Sequence, residues 1–188
     1  KLVGQDTEAP DGAPEFDGAT VIVAGATLTL DGAHVLQSLA VLSNGVVTHP
    51  ETDETTEHRL DLTVTERLWI RHSGAIDATG RGYRRGYTLG NTTDGATRYG
   101  WGAGGSYGGL GLTTYGPQPA NWTYGDYRDP QEPGSGGGWG DGGGLVTISV
   151  PVAAVDGAVR VDGDPGRSHW ATDGGGGSGG GIRLDADI

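Results

Sequence analysis

From Ala19 onward, apolar and polar residues alternate at a period of two in short runs that stop at glycine. The runs are ATVIVAG (19–25), ATLTLDG (26–32), LAVLSNGVVTH (39–49), LDLTVTERLWIRHSGAIDATG (60–80), LVTISVPVAAVDGAVRVDG (145–163) and GIRLDADI (181–188). β-Branched residues dominate them, and Gly, Asn-Gly or Asp-Gly ends them, which is the grammar of short strands joined by tight turns. No window joins a helical period to helix start and stop signals. The predicted class is all-β.

Two of the runs read as copies of one unit. LTVTERLWIRHSGAIDATGRG (62–82) aligns with VTISVPVAAVDGAVRVDGDPG (146–166) over one gap, placing Gly74 on Gly157, Ile76 on Val159 and Gly80 on Gly163. A partial third copy starts where GGGIRLDA echoes GGGLVTIS. Each copy is strand, turn, short strand, turn, so the chain is expected to wind into rungs that bond to their neighbours. Leu62, Val64, Leu68, Ile70 and Ile76 would then stack on Val146, Ile148, Val150, Val155, Val159 and Val161. The expected architecture is a right-handed parallel β-helix. A β-sandwich or antiparallel barrel is the alternative, since its sequence also shows many short alternating strands.

Glycine changes the picture next. Of the 39 glycines, 33 follow Ser73, and GSGGGWGDGGG (134–144) leads straight into a strand. Glycine gives up the most entropy on ordering, so such a run is either a flexible linker or a packed path that only glycine can follow. The packed path is expected, with glycines at corners allowing positive φ and close backbone approach. Trp139 and Trp170 would cover these runs.

LTLDGAHVLQSLAVLSNGVVTHP, SGAIDATGRGY and the long GAGGSYGGLG … GSGGGWGDGGGLVTISV … GGGGSGGGIRLDA series resembles a glycine-rich, pectate-lyase-like β-helix module of large bacterial secreted and cell-surface, adhesin-like proteins. The resemblance spans Gly18 to Ile188. It implies extracellular presentation as a structural or adhesive module, with no common reaction. Fold alone does not separate this from a polysaccharide lyase or hydrolase of the same architecture.

Charge narrows the partners. The net charge is −12, with one lysine, at residue 1. Little here would displace counterions from a phosphate backbone, so nucleic acid is excluded. There is no cysteine for a disulfide or thiolate site, and no apolar run approaches the ~18 residues of a membrane span. The lack of methionine suggests an excised segment, expected to continue into more solenoid or to stack on identical copies through its open strand edges. Residues 1–18, acidic and rich in Pro and Gly, read as a leading arm or linker, with a capping or donated strand as a second use. Residues 19–188 read as the domain.

An inserted loop at about 83–133 holds all seven tyrosines. Trp101, Tyr107, Tyr115, Trp122 and Tyr124, with Arg98, are its candidate ligand contacts, by stacking on sugars or on a protein partner; the plainer reading is that they cover the core. A carbohydrate-binding module is therefore a third functional reading. Asn91 and Asn121 begin N-x-T sequons.

No cofactor is implied, and calcium is the one cation the acidic residues would suit. Asp141, Asp162, Asp164 and Asp173 stand beside glycine runs, but their spacing departs from the calcium nonapeptide and from the EF-hand, so solvated turn residues are the simpler reading. The five histidines are scattered; His72 beside Arg71, or His169 near Asp164, could act as a base, and a surface residue at a strand end or turn is the plainer reading of each.

Overall fold

The computed structural model describes residues 1–93, 102–112, 120–166, 168–169 and 172–187. Their regular structure is all-β, with one 3-10 turn at Leu89–Asn91. Two sheets carry it. The first contains β1 (Leu2–Val3), β3 (Thr20–Ala24), β5 (Gly32–Leu42), β7 (Leu60–Ile70), β9 (Leu145–Val150) and β14 (Gly181–Ala186), in that order, with β10 (Ala153–Val155) also on β7. The second is β2 (Thr7–Ala9), β4 (Thr27–Leu30), β6 (Val46–Thr48), β8 (Ala75–Asp77) and β11 (Ala158–Arg160). Every pairing within them is parallel. The chain thus alternates between the sheets and lays each strand beside an earlier one. β12 (Ser168–His169) and β13 (Thr172–Asp173) form a separate antiparallel pair.

Register places like on like. Val21 pairs with Leu39 and Leu39 with Leu68; Val23 pairs with Val41 and Val41 with Ile70; Leu28 pairs with Val47 and Val47 with Ile76. All of these side chains are buried, so the period of two in sequence becomes a stacked apolar core. A register shift between Leu36 and Ser38 bends β5 against β7 and splits each into two short runs. β9 pairs with the first run of β7 and β10 with the last.

The internal repeat holds in part. Ile76 opposes Val159, as the sequence alignment has it, but Val146 opposes Leu60 rather than Leu62. A slip of two residues leaves every side chain on the same face, so alternation alone cannot detect it. The third copy is one residue off, with Ile182 opposite Val146 instead of Leu145. Leu145 and Val146 are both buried, which blurs the phase there. Among the expected inward residues, Val155 is 42% exposed, since β10 has no strand beyond it.

Residues 1–18, read above as an arm, are built into the sheets. β1 pairs with β3, β2 pairs with β4, and the turns between them bury Phe16 at the end of the core. The acidic, Pro-rich composition of this stretch reflects its turns, in which Ala13 N–H donates to Pro10 O and Asp17 N–H to Pro14 O.

Connections from the first sheet to the second are short, and one stacks glycine on backbone. A Cβ on Gly45 would lie 2.4 Å from Val23 O, on Gly74 2.4 Å from Val41 O and on Gly157 2.2 Å from Gly74 O. Returns to the first sheet range from Asp31 alone, through 10–19 and 49–59, to 78–144 and 161–180. All the long insertions therefore leave from one side of the molecule.

Candidate functional sites on the glycine-rich flank

The insertions pack on one another as a layer of extended glycine segments. Gly82 N–H donates to Gly142 O, Tyr83 N–H to Gly134 O, Gly143 N–H to Ser178 O and Gly105 N–H to Gly176 O. From Gly134 to Trp139, successive backbone N–H groups reach Gly143 O, Ser178 Oγ, Tyr87 O, Gly140 O, Ala103 O and Gly175 O. A strand would send its bonds alternately to two sides. Here they spread over four neighbouring stretches, at Tyr87, at Ala103, at 140–143 and at 175–178. None of the glycines from Gly134 to Gly144 or from Gly174 to Gly181 has positive φ. Close approach, not left-handed backbone, is what these runs require: a Cβ on Gly143 would sit 1.8 Å from Val161 O, and on Gly180 1.9 Å from Gly144 O.

The aromatic insertion is anchored to this layer from within. Tyr83 is fully buried, donates to Glu57 Oε1 at 2.9 Å and accepts Gly90 N–H at 3.1 Å. Tyr124 meets Tyr83 edge-on at 6.3 Å and Tyr107 at 5.2 Å, and its hydroxyl donates to Pro133 O at 2.8 Å. Burial, the largest cause, pushes the phenols of Tyr83 and Tyr124 well above the usual tyrosine range. Asn121 is buried, accepts Ser106 N–H at 3.1 Å and donates to Thr88 Oγ1 at 2.7 Å, so this sequon side chain is enclosed.

The candidate ligand residues consequently separate. Tyr124 is a pillar of the insertion, Tyr107 leans on it, and Trp122 stands free at 82% exposure. Trp101, Tyr115 and Arg98 lie outside the described residues. The sequence reading passed over Tyr127, 83% exposed with the Arg128 guanidinium 5.1 Å from its ring centre. Its signal was the GDYRD turn, where Asp126 Oδ1 accepts Arg128 N–H and lifts the intervening tyrosine outward. Tyr107, Tyr127 and Pro130 wall a cleft of about 400 Å3 floored by Gly179–Gly181.

A charged groove runs along the outer face of the first sheet, beside the layer. His58 Nδ1 lies 2.7 Å from Asp31 Oδ2, Arg59 pairs with Asp61 at 2.8 Å, and Arg183 pairs with Asp129 at 2.6 Å and Asp185 at 2.8 Å. His58 and Arg59 line one cavity there, Asp61 and Arg183 another, and Gln131 borders both. Sequence spacing gave no sign of this group, because parallel pairing brings together residues far apart in the chain. A third surface, a groove of about 460 Å3, carries Ile22, Ala40 and Trp69 on the outside of the same sheet.

Of the acidic candidates, Asp141 and Asp164 are joined through backbone, Asp164 N–H donating to Asp141 O at 2.8 Å. Asp141 Oδ1 accepts Arg85 N–H at 2.6 Å, and Asp162 O accepts Gly80 N–H at 2.9 Å. Asp173 lies in β13. Among the described residues no three His, Asp or Glu side chains gather as a metal site. His72 is exposed in the turn between β7 and β8.

Comparison with known proteins finds no match, whether to a family model, a curated protein or a solved structure.

Proposed function

We propose that this chain is a right-handed parallel β-helix serving as a rigid, non-catalytic structural or adhesive module on the outside of a bacterial cell. Right-handedness follows from the near-universal hand of parallel crossovers. The glycine layer carries the functional reading. It bonds the long insertions to one another across the returns from β8, β6 and β11, and gives them a firm base from which Trp122, Leu110 and Leu112 project at 82%, 73% and 75% exposure. These exposed apolar side chains are the proposed contact sites. The absence of cysteine does not argue against presentation outside the cell. Leu184, 41% exposed on edge strand β14, would meet a neighbouring solenoid segment or an identical copy.

Peptide-resolved hydrogen exchange tests the scaffold: residues 134–144 and 174–181 are expected to be protected nearly as well as β9. Fast exchange there would remove the rigid base and the proposal with it. Adhesion is tested with chain-coated beads on immobilised polysaccharides and glycoproteins, where changing Trp122, Leu110 and Leu112 together to serine should cut retention severalfold.

The charged groove favours a second reading, a polysaccharide lyase or hydrolase. Release of new chain ends from neutral or uronic polymers, lost in His58→Ala, would replace the non-catalytic proposal by this one.

A further inference from the structure

The cleft over Gly179–Gly181 has features that a purely structural flank does not need. Tyr107, Tyr127, Pro130 and Ile182 surround it, and none of the described residues lining it is charged. Tyr127 is 83% exposed; the Arg128 guanidinium lies over one face of its ring, 5.1 Å from the centre, so a ligand would take the other face. The floor is bare backbone: the atom nearest a Cβ built on Gly179 would be Val161 O, 3.7 Å away. The Tyr107 hydroxyl is buried and has no hydrogen-bond partner among the described residues. Leaving such a group unpaired is unfavourable, so it stands ready for a ligand group that both donates and accepts. Gly125 has φ +89°, and a Cβ there would strike the Tyr107 ring at 2.3 Å, so the backbone is shaped to seat this tyrosine.

We propose that this cleft is a binding site for a neutral carbohydrate, with the apolar face of one sugar ring on Tyr127 and the glycine floor and a sugar hydroxyl on Tyr107 Oη. The proposal rests on the scaffold reading above, because the floor belongs to the glycine layer. The described lining residues carry no charge of their own, and the Arg128 guanidinium packs on the Tyr127 ring, so a neutral sugar is the ligand proposed and tetragalacturonate the anionic counter-probe. A proline-rich peptide would offer Tyr107 only acceptors, whereas a sugar hydroxyl also donates. At about 400 Å3 the cleft falls within the range of small-ligand sites and suits one or two rings.

The test is a titration of the full chain with cellotetraose, maltotetraose and mannotetraose, with tetragalacturonate and a proline decapeptide as counter-probes. At least one neutral tetrasaccharide is expected to bind, with Tyr127→Ala weakening it about tenfold and Tyr107→Phe about fivefold. Gly179→Leu fills the open floor and should abolish binding while leaving the denaturation midpoint in place. No binding of any neutral tetrasaccharide, binding indifferent to Tyr127→Ala and Gly179→Leu, or binding of the decapeptide or tetragalacturonate alone would overturn the proposal. Hydrogen exchange separates the two ideas. Protected glycine segments without sugar binding leave the scaffold standing, and fast exchange at 174–181 overturns both.

Discussion

Gly179 and Gly180 are neighbours in one run and face different surroundings. A Cβ at Gly179 would meet only Val161 O, at 3.7 Å, whereas one at Gly180 would lie 1.9 Å from Gly144 O and 2.4 Å from Gly143 O. Backbone cannot step aside as a flexible side chain can. Gly180→Ala should therefore destabilise by about 3 kcal/mol, while Gly179→Ala should be neutral or gain about 0.5 kcal/mol by stiffening the unfolded chain, both read from urea midpoints. The sequence showed that glycine mattered here but left its reason open, because positive φ and close approach select the same residue. His49 gives a second prediction. It is buried, with Nδ1 2.7 Å from Pro50 O and Nε2 against Gly144, and burial above all lowers its pKa from 6.5 to about 4, Arg81 and His58 adding to it and the Pro50 bond and Asp31 opposing. Between those two pH values the unfolded chain holds a proton on His49 that the folded chain does not, so stability is full above pH 6.5 and falls as the pH drops towards 4. At ~1.4 kcal/mol per pKa unit the loss is about 3 kcal/mol, and His49→Gln should remove that part of the slope in denaturation at pH 7 and pH 4.5.

Within the strands, stacking makes a side chain's cost depend on the rungs around it. Ile70 is fully buried with Val41 and Val155 on either side in register, so Ile70→Ala should cost about 3 kcal/mol. Ile182 occupies an equivalent inward position on β14 but is 41% exposed, and Ile182→Ala should cost about 1 kcal/mol or less. Equal losses for the two in urea titration would mean that β14 is covered in solution. Strand existence was plain in the sequence because a stacked core demands apolar residues at every second position. Pairing partners were less plain. Alternation fixes which face a residue takes, and the two-residue slip between β7 and β9 preserves that face, so only the turn at Gly74 and Gly157 held the alignment in register.

Across the whole molecule, charge and topology act together. A net charge of −12 on one domain repels itself, and several ion pairs that could offset it, such as Arg71–Asp156 at 3.6 Å with both side chains more than half exposed, are worth little. Raising NaCl from 20 to 300 mM should raise the unfolding temperature by a few degrees; a fall would show that the ion pairs outweigh the repulsion. The sequence by itself determined the all-β class, the buried ladder residues and the glycine-dependent flank, since these rest on local periodicity and on the size of one side chain. The tertiary structure alone decided that residues 1–18 join the sheets, that Tyr124 supports while Tyr127 is presented, and that Asp31 meets His58. Those outcomes depend on which rungs become neighbours, and contacts between residues far apart in the chain leave no periodic trace along it.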